Sequence, residues 1–332
     1  MNENATGQSR RAAIRLAAVI AAGALLPLNA HAAASLEIMA PYYKSLVTIA
    51  PIAVALEICS YKRHGVNVTG VLTSVGGGTS LRNMIGGGVG YAEAGTPPAL
   101  LGPRAEVPIK LVHNSVRTAR DILWVAMPNS DIRSIKDLAG KKIGISAPRS
   151  TSETLALMAL EKAGISGKAN LVAIGPVGAG PSALENGGID AALILEPLWT
   201  ERETRYVTAF TLDGLPLMST NCGVATEDFI KSSPDTLRNL IAGRREAVDF
   251  LFADVDEATA MVAKRYGNAL PADVAPAVIH RMVDIQYWSR GNFEMEAFDS
   301  VAQALRRQGD WSGPVDWGQV MDRSFLPEDL KA

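Results

Sequence analysis

Hydrophobic positions change their spacing repeatedly along this chain, and each change marks an element. Residues 36–39 form a short apolar run of strand length, and over 49–61 apolar residues (Ile52, Ala55, Leu56, Cys59) recur at helical spacing until Gly65. Residues 66–72 alternate and are β-branched, which predicts a strand, followed by a glycine-rich turn over 76–80, a helical stretch over 81–85 and a strand over 90–94. The rhythm resumes with strands over 123–127, 143–146, 171–174 and 191–195, a short helix over 132–138 and a longer one over 151–163 closed by Gly164. From about Ser232 it changes to amphipathic helices over 236–252, 255–266 and 293–308, expected to pack outside the first lobe. Strands alternating with helices predict an α/β fold with parallel pairing and right-handed crossovers.

The 332 residues suit two lobes better than one, and no long Pro/Gly/Ser linker separates them. The lobes are therefore expected to be joined by strands crossing near 118–123 and 211–223, an arrangement that makes a hinge. This places lobe 1 at 33–120 and 214–332, and lobe 2 at 121–213. The first 32 residues read differently: Arg10, Arg11 and Arg15 precede an apolar run over 16–28 that ends in Ala30-His31-Ala32, the pattern of a cleaved secretory signal. The arginine pair leaves both general and twin-arginine export open. A mature protein free in the periplasm is the expectation.

With 32 basic and 34 acidic residues the chain has no electrostatic footprint for nucleic acid or an anionic membrane surface. Its two cysteines, Cys59 and Cys222, cannot build a disulfide framework or a four-cysteine metal site; they form one bridge or remain as two buried thiols. His64, His113 and His280 stand in no catalytic or metal-binding motif, so neither an enzyme, a metal nor a cofactor is expected.

The candidate chemistry is that of a binding cleft. Ser150 can cap the helix that follows while Glu153 reaches back, and the first-turn amides with the hydroxyls of Ser150, Thr151 and Ser152 offer a seat for an anionic or polar group. Gly77, Gly78, Thr79 and Ser80 offer a second such seat, with glycines that admit close backbone approach but no nucleotide-binding pattern. Thr96 lies just past a strand end, where open sheets place their ligands, and Glu196 occupies the equivalent place in the second lobe. Tyr42, Tyr43 or Trp199 can supply a flat apolar wall. Each of these segments also has a plain structural reading as a cap, a turn or core filling.

These segments, in their order and spacing, resemble the periplasmic binding proteins of the nitrate, sulfonate and taurine type, the NMT1/THI5-like family. The resemblance is carried by Gly90-Tyr91-Ala92 leading to Gly95-Thr96-Pro97-Pro98, by Ile135-Lys136-Asp137-Leu138-Ala139-Gly140-Lys141-Lys142-Ile143-Gly144, by Leu160-Glu161-Lys162-Ala163-Gly164, by Gly188-Ile189-Asp190-Ala191-Ala192 running into Glu196-Pro197, and by Asp322-Arg323-Ser324-Phe325-Leu326-Pro327. It implies a two-lobed periplasmic-binding-protein fold of type II, each lobe a mostly parallel sheet flanked by helices, with a ligand cleft between them. It implies cleft-facing loops at Lys44, Ser45, Gly77 to Ser80, Thr96, Ser150 to Ser152 and Glu196. It also implies an inner-membrane ABC permease with its ATPase as partners of a monomeric binder.

Two helix N-termini facing one cleft point to a small organic anion, a sulfonate or carboxylate. Glu196 would repel an anion unless it turns aside or pairs with Arg117 or Arg149; facing the ligand, it favours an amine-bearing heterocycle such as a thiamine-precursor pyrimidine. A periplasmic sensor subunit and a secreted enzyme are the remaining alternatives. Some relatives make the thiamine pyrimidine and carry a run of adjacent cysteines that this chain lacks.

Overall fold

The computed structural model describes residues 34–331, and the export signal expected over 1–32 lies outside the described residues. Among the described residues the strands are β1 (Ala34–Pro41), β2 (Val66–Ser74), β3 (Tyr91–Gly95), β4 (Ile109–Val116), β5 (Ile122–Ala126), β6 (Lys142–Ile145), β7 (Asn170–Ala173), β8 (Ala192–Leu195), β9 (Val207–Thr211) and β10 (Asn221–Thr226). The α-helices are α1 (Ala50–Glu57), α2 (Ser60–Arg63), α3 (Gly77–Gly87), α4 (Thr96–Arg104), α5 (Thr151–Lys162), α6 (Gly180–Glu185), α7 (Leu198–Arg202), α8 (Glu227–Ser232), α9 (Pro234–Ala253), α10 (Val255–Tyr266), α11 (Ala275–Asp284), α12 (Met295–Arg307) and α13 (Trp317–Val320).

One sheet has the order β2-β1-β3-β10-β4, and a second group comprises β8-β5-β9 with the pair β6-β7 joined to it by a bridge from Ile143 to Ala191. The two-lobed α/β class stands, but the pairing is mixed rather than mostly parallel. β1 pairs in parallel with β2 and β3, and β6 with β7, whereas β10 runs antiparallel to β3 and β4 and β5 runs antiparallel to β8 and β9. The reason is connectivity. β5 and β10 each enter from the other sheet, through residues 117–121 and 212–220, so no crossover helix links them to a neighbour and forces parallel pairing.

Several elements differ from the sequence pattern for identifiable reasons. The helix expected over 49–61 is broken into α1 and α2 because Cys59 adopts a left-handed conformation (φ 58°), which interrupts the i to i−4 ladder. The expected turn at 76–80 is instead the first turn of α3. A helix, α4, begins at Thr96 even though Pro97 and Pro98 follow, since proline is tolerated in a first turn whose amides have no intrahelical partner. α10 spans the same residues as its apolar pattern.

Burial explains the packing. α9 turns Leu237, Leu240, Ile241, Ala247, Val248 and Leu251 inward at helical spacing and packs against α1 and α2, while α10 packs against α1 and α11. Each leucine, isoleucine or valine among them taken fully from water stabilises by roughly 1.5–3 kcal/mol. In the second lobe Trp124 stacks on Phe210 with ring centroids 4.7 Å apart and donates from Nε1 to the Gly144 carbonyl at 2.9 Å, tying β5 to β6 and β9. Cys59 is exposed and Cys222 buried, both as free thiols, and burial pushes the Cys222 thiol up to about 12.

Candidate functional site

The C-terminal ends of β1, β2, β6 and β7 lead into loops and helix starts that converge on one place. There a cavity of about 90 Å³ is lined from the first sheet by Tyr42, Leu46, Thr48, Gly76 to Gly78, Thr220, Asn221 and Tyr287, and from the second by Ser146, Ser150 to Ser152, Val177, Leu193 and Leu195. Asp121, at the end of the segment crossing between the sheets, and Ile122, the first residue of β5, complete it. Open α/β sheets place ligand crevices at such strand ends because the loops there are free to vary while the strands hold them rigidly.

At the start of α5 the sequence builds a cap. Ser150 Oγ accepts from the Glu153 amide at 3.3 Å, and Glu153 reaches back to accept from the Arg149 amide at 2.5 Å. Ser152 Oγ accepts from the Ser146 amide at 2.9 Å and lies 2.9 Å from the hydroxyls of both Ser146 and Ser150. These hydroxyls therefore organise the helix start first. The amides of Thr151 and Ser152, in the first turn beside the cavity, carry the positive end of the α5 dipole.

The start of α3 meets the cavity from the other side through Gly76, Gly77 and Gly78. Gly77 is required there: a Cβ would lie 2.3 Å from the Gly95 nitrogen and 2.7 Å from its Cα. Thr79 faces an outer groove instead, where Arg82 donates to its hydroxyl at 3.0 Å. Ser80 is buried in a 2.6 Å hydrogen bond with Ser74, and Thr96 in a 2.8 Å bond with Ser219. Thus Ser80 and Thr96 brace strand ends and lie behind the cavity wall.

Among the aromatic candidates Tyr42 lines the cavity. Its hydroxyl donates to the Val75 carbonyl at 2.6 Å and accepts from the Val177 amide at 3.2 Å, linking the two lobes. Tyr43 packs edge-on against Tyr266, Lys44 is exposed above the Tyr43 ring, and Ser45 is exposed. Trp199 is half-buried on α7, packed on the second lobe's own cluster that includes Leu184, Ile194 and Tyr206. Its bulk serves that core, and it is not among the cavity residues.

Glu196 is buried but does not line the cavity. Its Oε1 accepts from Arg281 on α11 at 2.5 Å and its Oε2 from the Thr200 amide at 3.2 Å and hydroxyl at 2.9 Å. Burial pushes its pKa up, opposed by the Arg281 charge. The arginines offered by the sequence as its partners go elsewhere: Arg117 forms a fork with Glu294, and Arg149 pairs with Asp310 at 3.0 Å across the lobes.

The residues that pattern reading missed are Asp121, Tyr287 and Asn221. Asp121 is 3% exposed, and its Oδ2 accepts from the Tyr287 hydroxyl at 2.8 Å. Burial pushes Asp121 up to about 7; the Tyr287 hydrogen bond opposes this and the nearby Glu196 charge adds to it. The Tyr287 hydroxyl is also 3.1 Å from that of Thr48. No lysine, arginine, histidine or cysteine is among the described residues lining the cavity, so its one formal charge is negative.

No curated protein sequence matches this chain. In fold it is similar to the alkanesulfonate-binding protein SsuA from Xanthomonas axonopodis pv. citri bound to MOPS, with a TM-score of 0.73 and 19% identity over 88% of this chain and 99% of that one. It is similar too to the periplasmic nitrate-binding protein NrtA from Synechocystis PCC 6803, with a TM-score of 0.69 and 16% identity over 89% and 86% of the two chains. The desulfurization enzyme DSZB shares the fold at a TM-score of 0.61 and 16% identity over 88% and 97% of the two chains, so binders and at least one enzyme are built on it. The family model described as NMT1/THI5 like matches residues 47–258, and the chain belongs to that family.

Proposed function

We propose that this protein is an exported, periplasmic solute-binding protein that closes its two lobes on a small organic anion, such as a sulfonate or carboxylate, and delivers it to an inner-membrane ABC permease with its ATPase. The lobes are assigned as 33–120 with 214–332, and 121–213, in keeping with the membership of the two sheets. The observation that carries the reading is the cavity between the sheets, reached by the N-termini of both α3 and α5. Free first-turn amides in a water-poor space stabilise an anion without needing a cationic side chain.

At about 90 Å³ the cavity is small. A water needs on the order of 10–15 Å³ on this scale, so roughly six to nine water-sized groups fit. Because the ligand would touch Gly77 and Gly78 on one side and Thr151 and Ser152 on the other, it gains more contacts in the closed form, and that difference in affinity drives closure. The hydroxyls of Ser146, Ser150 and Ser152 hydrogen-bond to one another, which commits them to organising the start of α5 and favours a binding role for them.

The test is a thermal-shift screen of the purified protein against sulfonates, carboxylates and nitrate, with recovery of the bound compound. Ligand at 100 times its Kd adds about 2.7 kcal/mol of stability, a readily measured rise in Tm. A rise with the compound recovered unchanged is expected. No rise across the panel, or recovery of a converted compound, overturns the proposal.

A further inference from the structure

Building on the cavity as the binding site, we infer that Asp121 is its specificity-determining residue and that it takes a cationic nitrogen of the ligand through Oδ1, which makes the ligand a small zwitterion. The inference starts from an imbalance. Asp121 is almost fully buried and lines the cavity; Oδ2 has its donor in Tyr287, while Oδ1 has no partner. A buried carboxylate oxygen without a donor is costly, and one that borders a ligand-sized cavity can be completed from it.

The groups around Asp121 leave the ligand as the source of that donor. Tyr287 is already committed to Oδ2, and the neighbouring Glu196 is negative and held by Arg281 and Thr200. A purely anionic ligand would bring its charge beside the one charged side chain of the cavity, of the same sign. A zwitterion instead sets its ammonium on Oδ1 and its anionic group on the amides of α3 and α5. Asn221 lines the same space with a buried amide nitrogen, Nδ2, that also lacks an acceptor, and it can donate to the anionic end. One ligand thereby satisfies an orphan acceptor and an orphan donor at once.

The charge state makes the assignment testable by pH. Burial holds Asp121 at about 7, and an ammonium must find the carboxylate. Binding of the zwitterion is therefore about tenfold weaker at pH 6 than at pH 8. A neutral Asp121 donating to an anion would give the opposite trend.

The experiment compares near-isosteric probes by calorimetry on the purified protein: 2-aminoethanesulfonate against propane-1-sulfonate, 3-aminopropanoate against butanoate, and propylamine, which has no acid. One amine-bearing acid should bind at least about tenfold tighter than its methyl partner at pH 8, the preference shrinking toward pH 6. Asp121→Asn should abolish the preference; should that variant not fold, the probe pairs and the pH series on the parent protein decide alone. Equal or tighter binding of the methyl partners overturns the role of Asp121 and leaves the anion-binding cleft standing. Propylamine binding as tightly as the amino acids, in an Asp121-dependent way, keeps the role of Asp121 and overturns the anion reading. No binding by any probe overturns both.

Discussion

Replacing Arg244 by methionine should destabilise the protein by about 3–5 kcal/mol. Arg244 on α9 is 2% exposed and donates from Nε to Glu93 Oε1 on β3 at 2.6 Å, from Nη1 to the Ser289 carbonyl at 2.9 Å and from Nη2 to the Ser115 carbonyl at 3.1 Å. One guanidinium thus ties a helix, two strands and the segment after α11. Glu93 is 1% exposed and its Oε2 has no partner, so without the arginine a carboxylate stays buried with nothing to offset its desolvation. Methionine keeps the apolar length, which isolates the charge from the packing. A loss of this size lowers Tm by roughly 5–8 °C in a protein of some 300 residues, since the unfolding entropy is about 2.1 cal/mol/K per residue. The assay is thermal and urea unfolding followed by far-UV circular dichroism, with the double variant Glu93→Leu/Arg244→Met beside the single one. The double variant should recover at least half the loss, because no unpaired charge then remains in the core. A single-variant loss below about 1 kcal/mol, or a double variant worse than the single, would refute the reasoning.

His113 is fully buried, accepts from the Tyr91 hydroxyl at Nε2 (2.7 Å) and donates from Nδ1 to the Asn114 carbonyl (2.9 Å), a network that holds the neutral ring. Burial, aided by the Arg244 charge, holds its pKa down at about 3, so as pH falls the unfolded chain takes up the proton first. Its contribution to stability is complete above about 6.5 and is lost progressively toward pH 3; the fall in Tm between pH 6.5 and 4 should be shallower in His113→Gln, and an unchanged slope would exclude the histidine as its cause. Gly77→Ala should cost about 1–3 kcal/mol and weaken ligand binding because its methyl meets the backbone of Gly95, whereas Gly86→Ala in the same helix meets nothing within 4 Å and should stabilise by about 0.5–1 kcal/mol. Paired denaturant titrations check both, and equal effects at the two sites would refute the packing argument.

Local features of the chain were legible wherever short-range physics decides. The apolar period over 255–266 coincides with α10, and the Ser150–Glu153 cap forms with Glu153 reaching one residue further back, to the Arg149 amide. Caps and amphipathic faces depend on neighbours three or four residues away, so one sequence contains them. β4 was not legible, because His113-Asn114-Ser115 reads as polar although all three residues are buried. Their burial rests on Arg244, which donates to the Ser115 carbonyl, and on Tyr91, whose hydroxyl meets the histidine ring. β10 was legible only as a crossing segment, since its pairing with β3 and β4 joins positions more than a hundred residues apart.

The candidate site divides along the same line. The sequence by itself determined the two-lobed α/β plan, the helix start at Ser150, and the likeness to a family of cleft binders; the start of α3 at Gly77 it read as a turn. Only the tertiary structure decided which side chains reach the cavity. It turned Glu196 toward Arg281, 85 residues on, and set Trp199 into the second lobe's core. It also brought Tyr287 to Asp121 across 166 residues. The charge and hydrogen-bonding capacity of a buried group are set by whichever atoms surround it in space, and no spacing along the chain encodes them.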